Sequence, residues 1–559
     1  MDQQRPFLYL TLFFLGFLIW STWQQEHAPK PVNPTTQING TTNQKNVNNN
    51  TIPTDTPASV NSSSNPTVSN IINTQTDQAQ KIHVKTDVLD IIISTKGGSI
   101  IQADLPTYPV SLEEKDKAER IIDSEKGYSA QSGLLAQESN RSDLAPNHYA
   151  NFKTQNSEYL LLEGQDSLEV PLVWDNGKGL TVTKTFIFKR GKFLVDQKQV
   201  INNQSTAPWV GSEYSQLTHG GSGRKAGGFL SGDIAYVGAA YYHEKYIKVS
   251  FGDIEDETLK DIVKGGWLAM LQHYFISAWV PPKDVENNYY SIFDATKKNY
   301  IIGLKSPLQT INSGSTGQFN SQFYVGPTDQ HKLSKIAEGL DLTVDYGVFA
   351  FVSKPIFAVM SFINRNIVSN WGWTIILLTL FIKILFLYPS AMSMKSMAKM
   401  KKLQPKIKAI SEKFKNDPQG KQKATMDFYR KEKINPLGGC LPILIQMPVF
   451  MGLYWVLQGS VELRQAPWIL WYKDLAVMDQ FFVLPVIYGI SMFVTQKLNP
   501  PMVQDPMQQK IFMYLPLVFT VMFLFFPAGL VLYWVVNNIL QIAQQWFINK
   551  KIIGDTKVT

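Results

Sequence analysis

Residues 511–549 run for thirty-nine consecutive positions without a charged side chain. As a helix this stretch would be about 58 Å long, roughly twice the 30 Å of hydrocarbon in a bilayer. Four more uncharged runs occur at 6–23, 366–382, 434–461 and 480–496. Phe526-Pro527-Ala528-Gly529 divides the longest run, because proline and glycine punctuate helices. The expected architecture is a polytopic α-helical membrane protein with six transmembrane helices. The first lies within 1–23 as an uncleaved signal anchor. The others lie at about 371–389, 436–460, 480–497, 511–526 and 528–548. A purely soluble globular chain is excluded.

Orientation follows the lysines and arginines of the short loops. Segment 390–435 holds 13 of them against 4 acids, a net +9 where the whole chain has +8, so the remainder sums to −1. This segment is expected in the cytoplasm. Residues 462–479, with only Arg464 and Lys473, then face out. The tail 550–559 and Arg5 put both termini inside. The polar stretch 24–340 must lie outside the cytoplasm. Residues 24–80, rich in Asn, Thr, Gln, Ser and Pro, read as a tether that cannot bury a core. Segments 88–95, 180–189 and 193–201 are rich in β-branched or aromatic residues, partly alternate, and are separated by Gly, Asn and Asp. They predict strands of a large all-β antiparallel sandwich over 81–340. An amphipathic interfacial helix is expected within 341–370.

Little suggests covalent chemistry. His83, His148, His219, His243, His273 and His331 are scattered without metal-ligand spacing, and Gly220-Gly221-Ser222-Gly223 fits no nucleophile elbow. The one cysteine, Cys440, excludes an intramolecular disulfide and a four-cysteine zinc site. No cofactor, metal or small-molecule substrate is expected.

Two features point to function. In the basic segment, Met394, Met397, Met400, Leu403, Ile407, Ile410 and Phe414 recur at three- and four-residue steps, and 416–420 reads as a turn. A helical hairpin over 390–435 follows. Its lysines suit both anionic headgroups and an RNA or acidic-chain partner. The second feature is Lys383, six residues before Pro389 in an otherwise apolar run. An unpaired ammonium in hydrocarbon costs at least about 3 kcal/mol. Either its stem snorkels to the headgroups, or it faces a hydrated cavity inside the bundle. Thr379 lies one turn back on the same face, and no acid lies in any span. Gln446, Thr520, Asn537, Asn538 and Gln541 supply uncharged polar groups at membrane depth. A lone cation among them would attract carboxylates.

The runs 396–410 (SMAKMKKLQPKIKAI), 435–448 (NPLGGCLPILIQMP), 460–467 (SVELRQAP), 505–510 (DPMQQK) and 526–534 (FPAGLVLYW) resemble the YidC membrane protein insertases, the bacterial branch of the Oxa group. The resemblance is close over 340–548 and looser over 80–340. It implies a five-helix core within 371–549 and a hydrophilic groove open to cytoplasm and lipid. It also implies a periplasmic β-supersandwich similar to sugar mutarotases, typical of Gram-negative members. The implied groove residues are Lys383, where most members have Arg, and Trp534, where the family usually has Tyr; Thr379, Gln446, Thr520, Asn537 and Asn538 join them as the polar residues at membrane depth. Met447 and Phe450 would form an apolar slide for the substrate. Lys399, Lys401, Lys402, Lys406 and Lys408 would recruit from the cytoplasm. The implied partners are nascent and newly made membrane proteins, the Sec translocon (SecYEG, SecDF), the ribosome and anionic lipids. The implied location is the bacterial inner membrane. Two rivals make different demands. A channel or secondary transporter would show repeats or paired charges. An anchored carbohydrate-binding protein would need only one span.

Overall fold

The computed structural model describes residues 79–137, 143–221, 236–414, 417–432, 441–498 and 506–553. The expected first span and all but the last two residues of the tether lie outside them, as do 554–559 of the tail.

The β-region forms an eleven-stranded and an eight-stranded sheet. Strand Leu180–Lys189 shows how the sequence builds them. Its burial alternates strictly, with Leu180, Val182, Lys184, Phe186 and Phe188 inward. It pairs antiparallel with Leu194–Asn203, which pairs with Ser315–Pro327. In the other sheet Trp209–His219 pairs with Ser129–Ala136 and Asn299–Lys305. Side chains from both sheets, among them Ile91, Phe186, Leu217, Trp279 and Phe323, form one buried cluster. The expectation of purely antiparallel pairing needs one correction. Lys81–Lys85 pairs in parallel with Glu158–Leu160. Helices α1 (Phe251–Asp256) and α2 (Gln330–Ile336) are short.

The helical part comprises α3 (Ala350–Asn366), α4 (Trp371–Leu385), α5 (Leu387–Lys413), α6 (Pro418–Lys431), α7 (Leu441–Gly459), α8 (Val483–Leu498), α9 (Pro506–Phe523) and α10 (Ala528–Ile553). Helix α3 starts later than the expected 341–370 helix, after short 3₁₀ turns at Leu340–Thr343 and Gly347–Phe349. It buries Ile356, Phe357, Met360 and Ile363 and exposes Phe351 and Phe362, so it is amphipathic.

The span expected over 371–389 is not one straight helix. Helices α4 and α5 meet at Phe386 with a bend of 69°. Proline was the sequence signal for a break, yet Pro389 sits in the first turn of α5, where no N–H is required of it. Pro405 is likewise inside α5. The bend lets α5 lie along the end of α10, where Met394 and Met397 pack on Ile548. The second hairpin helix begins at Pro418, inside the stretch 416–420 that reads as a turn. Asp417 caps it by accepting from the Gly420 N–H at 2.9 Å. Among the described residues no single helix is long and apolar enough to cross a membrane, and α4 with residues 387–400 passes only as a bent pair.

Helix α10 is the hub and packs against α4, α5, α7 and α8. Helix α9 packs on α8. A Cβ at Gly489 of α8 would collide with the Thr520 hydroxyl of α9, so only glycine permits that approach.

Candidate functional site

Lys383 stands in the last turn of α4, two residues before the helix ends. A cation there complements the carbonyl end of the helix dipole. Its side chain is half-buried, and no hydrogen bond or ion pair to it occurs among the described residues. Thr379, one turn earlier, is buried and donates to the Ile375 carbonyl at 2.7 Å. It therefore offers no free donor, although its oxygen keeps acceptor capacity.

The polar residues of the other helices gather around α10. Asn537, Asn538 and Gln545 are buried on it, and Gln541 and Gln544 are half-buried. They recur at three- and four-residue steps, so they form one stripe. Asn538 donates to Ser491 Oγ of α8 at 3.0 Å, and Ser491 donates to the Tyr488 carbonyl at 2.7 Å. Gln446 of α7 donates to the Tyr533 hydroxyl. Gln544 accepts from Ser390 Oγ of α5 at 3.3 Å. Thr520 donates to the Pro516 carbonyl at 2.7 Å, within its own helix. The stripe thus reaches α7, α8 and the start of α5, while α4 packs along the same helix.

Trp534 sits in an aromatic cluster with Phe450 at 5.4 Å, Tyr488 at 6.1 Å and Phe523 at 6.1 Å between ring centroids. Its indole N–H is buried with no hydrogen-bond partner among the described residues, as is Nε2 of Gln544. Buried donors without protein acceptors are uncommon and ask for a water or a ligand. Phe450 is buried in this cluster rather than on the outer surface, and Met447 is half-buried. Exposed apolar side chains occur on α8, with Val486, Ile490 and Phe493, on α9, with Tyr514, Leu517 and Val518, and on α4 beside Lys383, with Leu380, Phe381 and Ile384.

On the hairpin, Lys399, Lys402, Lys406 and Lys408 are exposed, and none forms an ion pair among the described residues. The side chain of Lys401 lies outside the described set. Ile407 is buried, and Met426 of α6 is exposed.

The sequence reading missed a second polar constellation inside the β-domain. Lys184 and Glu213 are both buried between the sheets. Lys184 Nζ donates to the carbonyls of Gly97 at 2.7 Å and Ser132 at 2.9 Å and to Ser132 Oγ at 3.1 Å. Ser132 donates to Gln197, and Gln197, Gln199 and Ser321 all donate to Glu213 Oε1 at 2.8–3.2 Å. The signal was present: Lys184 occupies an inward register of an otherwise apolar row. Every donor of its ammonium is used by the protein, so the group is structural.

Models of two families match this chain, the YidC periplasmic domain over residues 81–359 and the 60Kd inner membrane protein over 362–555. The membrane protein insertase YidC of Thioalkalivibrio sulfidiphilus is 45% identical, with 99% of each chain covered. That of Methylococcus capsulatus is 43% identical over 100% of this chain and 99% of the relative. A solved active YidC insertase with its first transmembrane domain resolved is 19% identical, with a TM-score of 0.38 over 84% of this chain and 92% of that one.

Proposed function

The chain belongs to the YidC family of membrane protein insertases, and from that premise we propose how its residues insert a substrate. It is an insertase of the bacterial inner membrane, not an enzyme, and it bears a large β-rich periplasmic domain of two sheets. Its substrates are nascent membrane proteins.

In our reading, residues 1–23 form a first span, and α4 with the start of α5, α7, α8, α9 and α10 form five more. Both termini lie in the cytoplasm. Lys383, the polar stripe of α10, Gln446, Thr520 and Trp534 line a groove open to cytoplasm and lipid. The observation that carries this is the half-buried ammonium of Lys383, which has no anionic partner among the described residues on a helix packed along the stripe. The orphaned donors of Trp534 and Gln544 support water beside them. The polar head of a substrate enters the groove, and Lys383 offsets the cost of burying its acids. The substrate's apolar helix moves into lipid past Met447 and the outer faces of α8 and α9. The free energy comes from burying that helix. Lys399, Lys401, Lys402, Lys406 and Lys408 meet the ribosome, the emerging chain or anionic lipid. The Sec translocon is a partner for part of the substrate set.

Removing most of residues 81–327 tests this reading against that of an anchored carbohydrate-binding protein. Insertion of a single-span substrate into proteoliposomes is expected to stay within about threefold of the full chain, because the groove is built from the helices. Loss of insertion by a truncated chain that still reaches the membrane would move the activity into the β-domain.

A further inference from the structure

Residues 460–467, SVELRQAP, follow α7 and take no part in the groove. Their side chains divide between two cores. Val461 is buried in the cluster of the β-domain, and Leu463, two residues on, is buried in the cluster of the helices. Around them the segment grips the β-domain. Arg464 Nη2 donates to the carbonyls of Pro109 at 2.8 Å and Val110 at 3.1 Å and to Glu119 Oε2 at 2.8 Å. Its guanidinium carbon lies 5.4 Å from the centroid of the Phe275 ring. Gln465, held at a φ of 57°, donates to the same Pro109 carbonyl at 3.0 Å. One turn before, the Gln458 carbonyl lies 2.9 Å from Nε2 of His273, and Ser460 meets the Tyr346 hydroxyl at 3.3 Å.

Charged groups of the segment are partly withdrawn from solvent. The Arg464 side chain is only 12% exposed. Oε2 of Glu462 is buried with no hydrogen-bond partner among the described residues. Burial, with Asp329 adding like charge, pushes that carboxyl up to about 7.

The other side of the segment leads to the end of the bundle opposite the hairpin. The Ala466 carbonyl accepts from the Leu475 N–H at 3.0 Å. The carbonyls of Leu475 and Val477 accept from the N–H groups of Gly529 at 2.9 Å and Ala528 at 2.7 Å. The loop after α7 is therefore stitched to the turn between α9 and α10. Asn370, at the start of α4, donates to the Pro467 and Trp468 carbonyls at 3.2 Å. A continuous set of hydrogen bonds runs from the β-domain through Arg464 to the outer ends of α4 and α10.

We propose that residues 461–465 are a joint through which the β-domain holds the outer end of the helical bundle shut, with Arg464 as its positioning residue. The joint rests on the reading that this end faces outward. It gives the β-domain a part in sealing the outer end that is separate from the groove, so the single-span insertion measured on the truncated chain does not depend on it.

The test uses the full chain in a Cys440→Ser background and a membrane-impermeant maleimide added from outside. Ala528→Cys, at a position 1% exposed in the closed turn, should react slowly. Adding Arg464→Ala removes three hydrogen bonds, one of them an ion pair, and should raise the rate about tenfold or more. Arg464→Lys, which keeps the charge but not the fork, should raise it by only about threefold. Glu119→Gln alters only the β-domain's partner and should give a rise of similar size, even if Arg464→Ala does not accumulate. Labelling of Ala528→Cys unchanged in Arg464→Ala or in Glu119→Gln overturns the joint, provided exposed Lys473→Cys reacts from outside. Failure of Lys473→Cys to react would overturn the outward topology and the joint with it.

Discussion

Lys383→Ala should lower the insertion of substrates with Asp or Glu in the translocated segment by about tenfold to a hundredfold, while neutral substrates stay within about twofold. The range follows from the interaction lost. A hydrogen bond to a charged group contributes about 1.5–3 kcal/mol, and each 1.4 kcal/mol is a factor of ten. Direct Coulomb attraction at 4 Å with an effective dielectric constant near 20 is about 4 kcal/mol, which bounds the effect from above. The selectivity for acidic substrates is the informative part. A lysine that only snorkels, or only complements the end of α4, would affect folding and so lower all substrates alike. Lys383→Arg should match or exceed the natural chain, because the planar fork holds a carboxylate at two points. Lys383→Glu should fall below Lys383→Ala for acidic substrates, through like-charge repulsion. The measurement is insertion into proteoliposomes of paired substrates that differ only in the acids of the tail. Equal insertion of the acidic substrate by Lys383→Ala and the natural chain would remove Lys383 from the mechanism.

What the sequence displayed, and what it hid, divides along physical lines. Strands were legible where burial on one face imposes a two-residue period, as in 180–189. The same reasoning overlooked Lys184, because a charged residue in such a row looks like an outward position until the register is counted. The bend at Phe386 was hidden for a different reason. The expected span runs unbroken to Pro389, but the direction of α5 is set by Met394 and Met397 packing on Ile548, about 150 residues away. Residue type marked Gln446, Asn537 and Asn538 as polar groups among apolar helices. Their partners Tyr533 and Ser491 depend on how each helix is rotated, which composition does not contain. The motif 460–467 was visible as a motif. Its clasp of Glu119 joins residues 345 positions apart, a separation no local pattern spans.

Glu213→Ala should be among the most damaging single changes in the β-domain, at about 3–5 kcal/mol, the usual cost of removing one partner from a buried charged network. It strands the amides of Gln197 and Gln199 and the Ser321 hydroxyl, all of which donate to Glu213. It also takes away the negative charge that favours the ammonium of Lys184. Lys184→Met should cost less than Glu213→Ala, because its apolar stem is retained, while the Gly97 and Ser132 carbonyls lose their donor. The double change Lys184→Met with Glu213→Gln should cost less than the two single effects added together, since the groups are coupled. The pH dependence, compared between the natural chain and Lys184→Met, reports on this lysine. Burial pushes the Lys184 ammonium down to about 7 from an ordinary 10.5. Between those values the folded chain binds fewer protons than the unfolded one, so stability should rise as pH climbs from 7 toward 10. Burial pushes Glu213 the other way, upward from 4.5. Its contribution is present in acid and is lost as pH rises through its folded value, so it does not produce a rise on the alkaline side. Thermal unfolding of the β-domain within the purified full chain at pH 7 and pH 9 should therefore show a larger gain in the natural protein than in Lys184→Met, where only the lowered Lys305 still contributes one. An identical gain in both would mean that Lys184 keeps an ordinary proton affinity in the fold, and the network would have to be re-derived with a charged lysine at neutral and mildly alkaline pH.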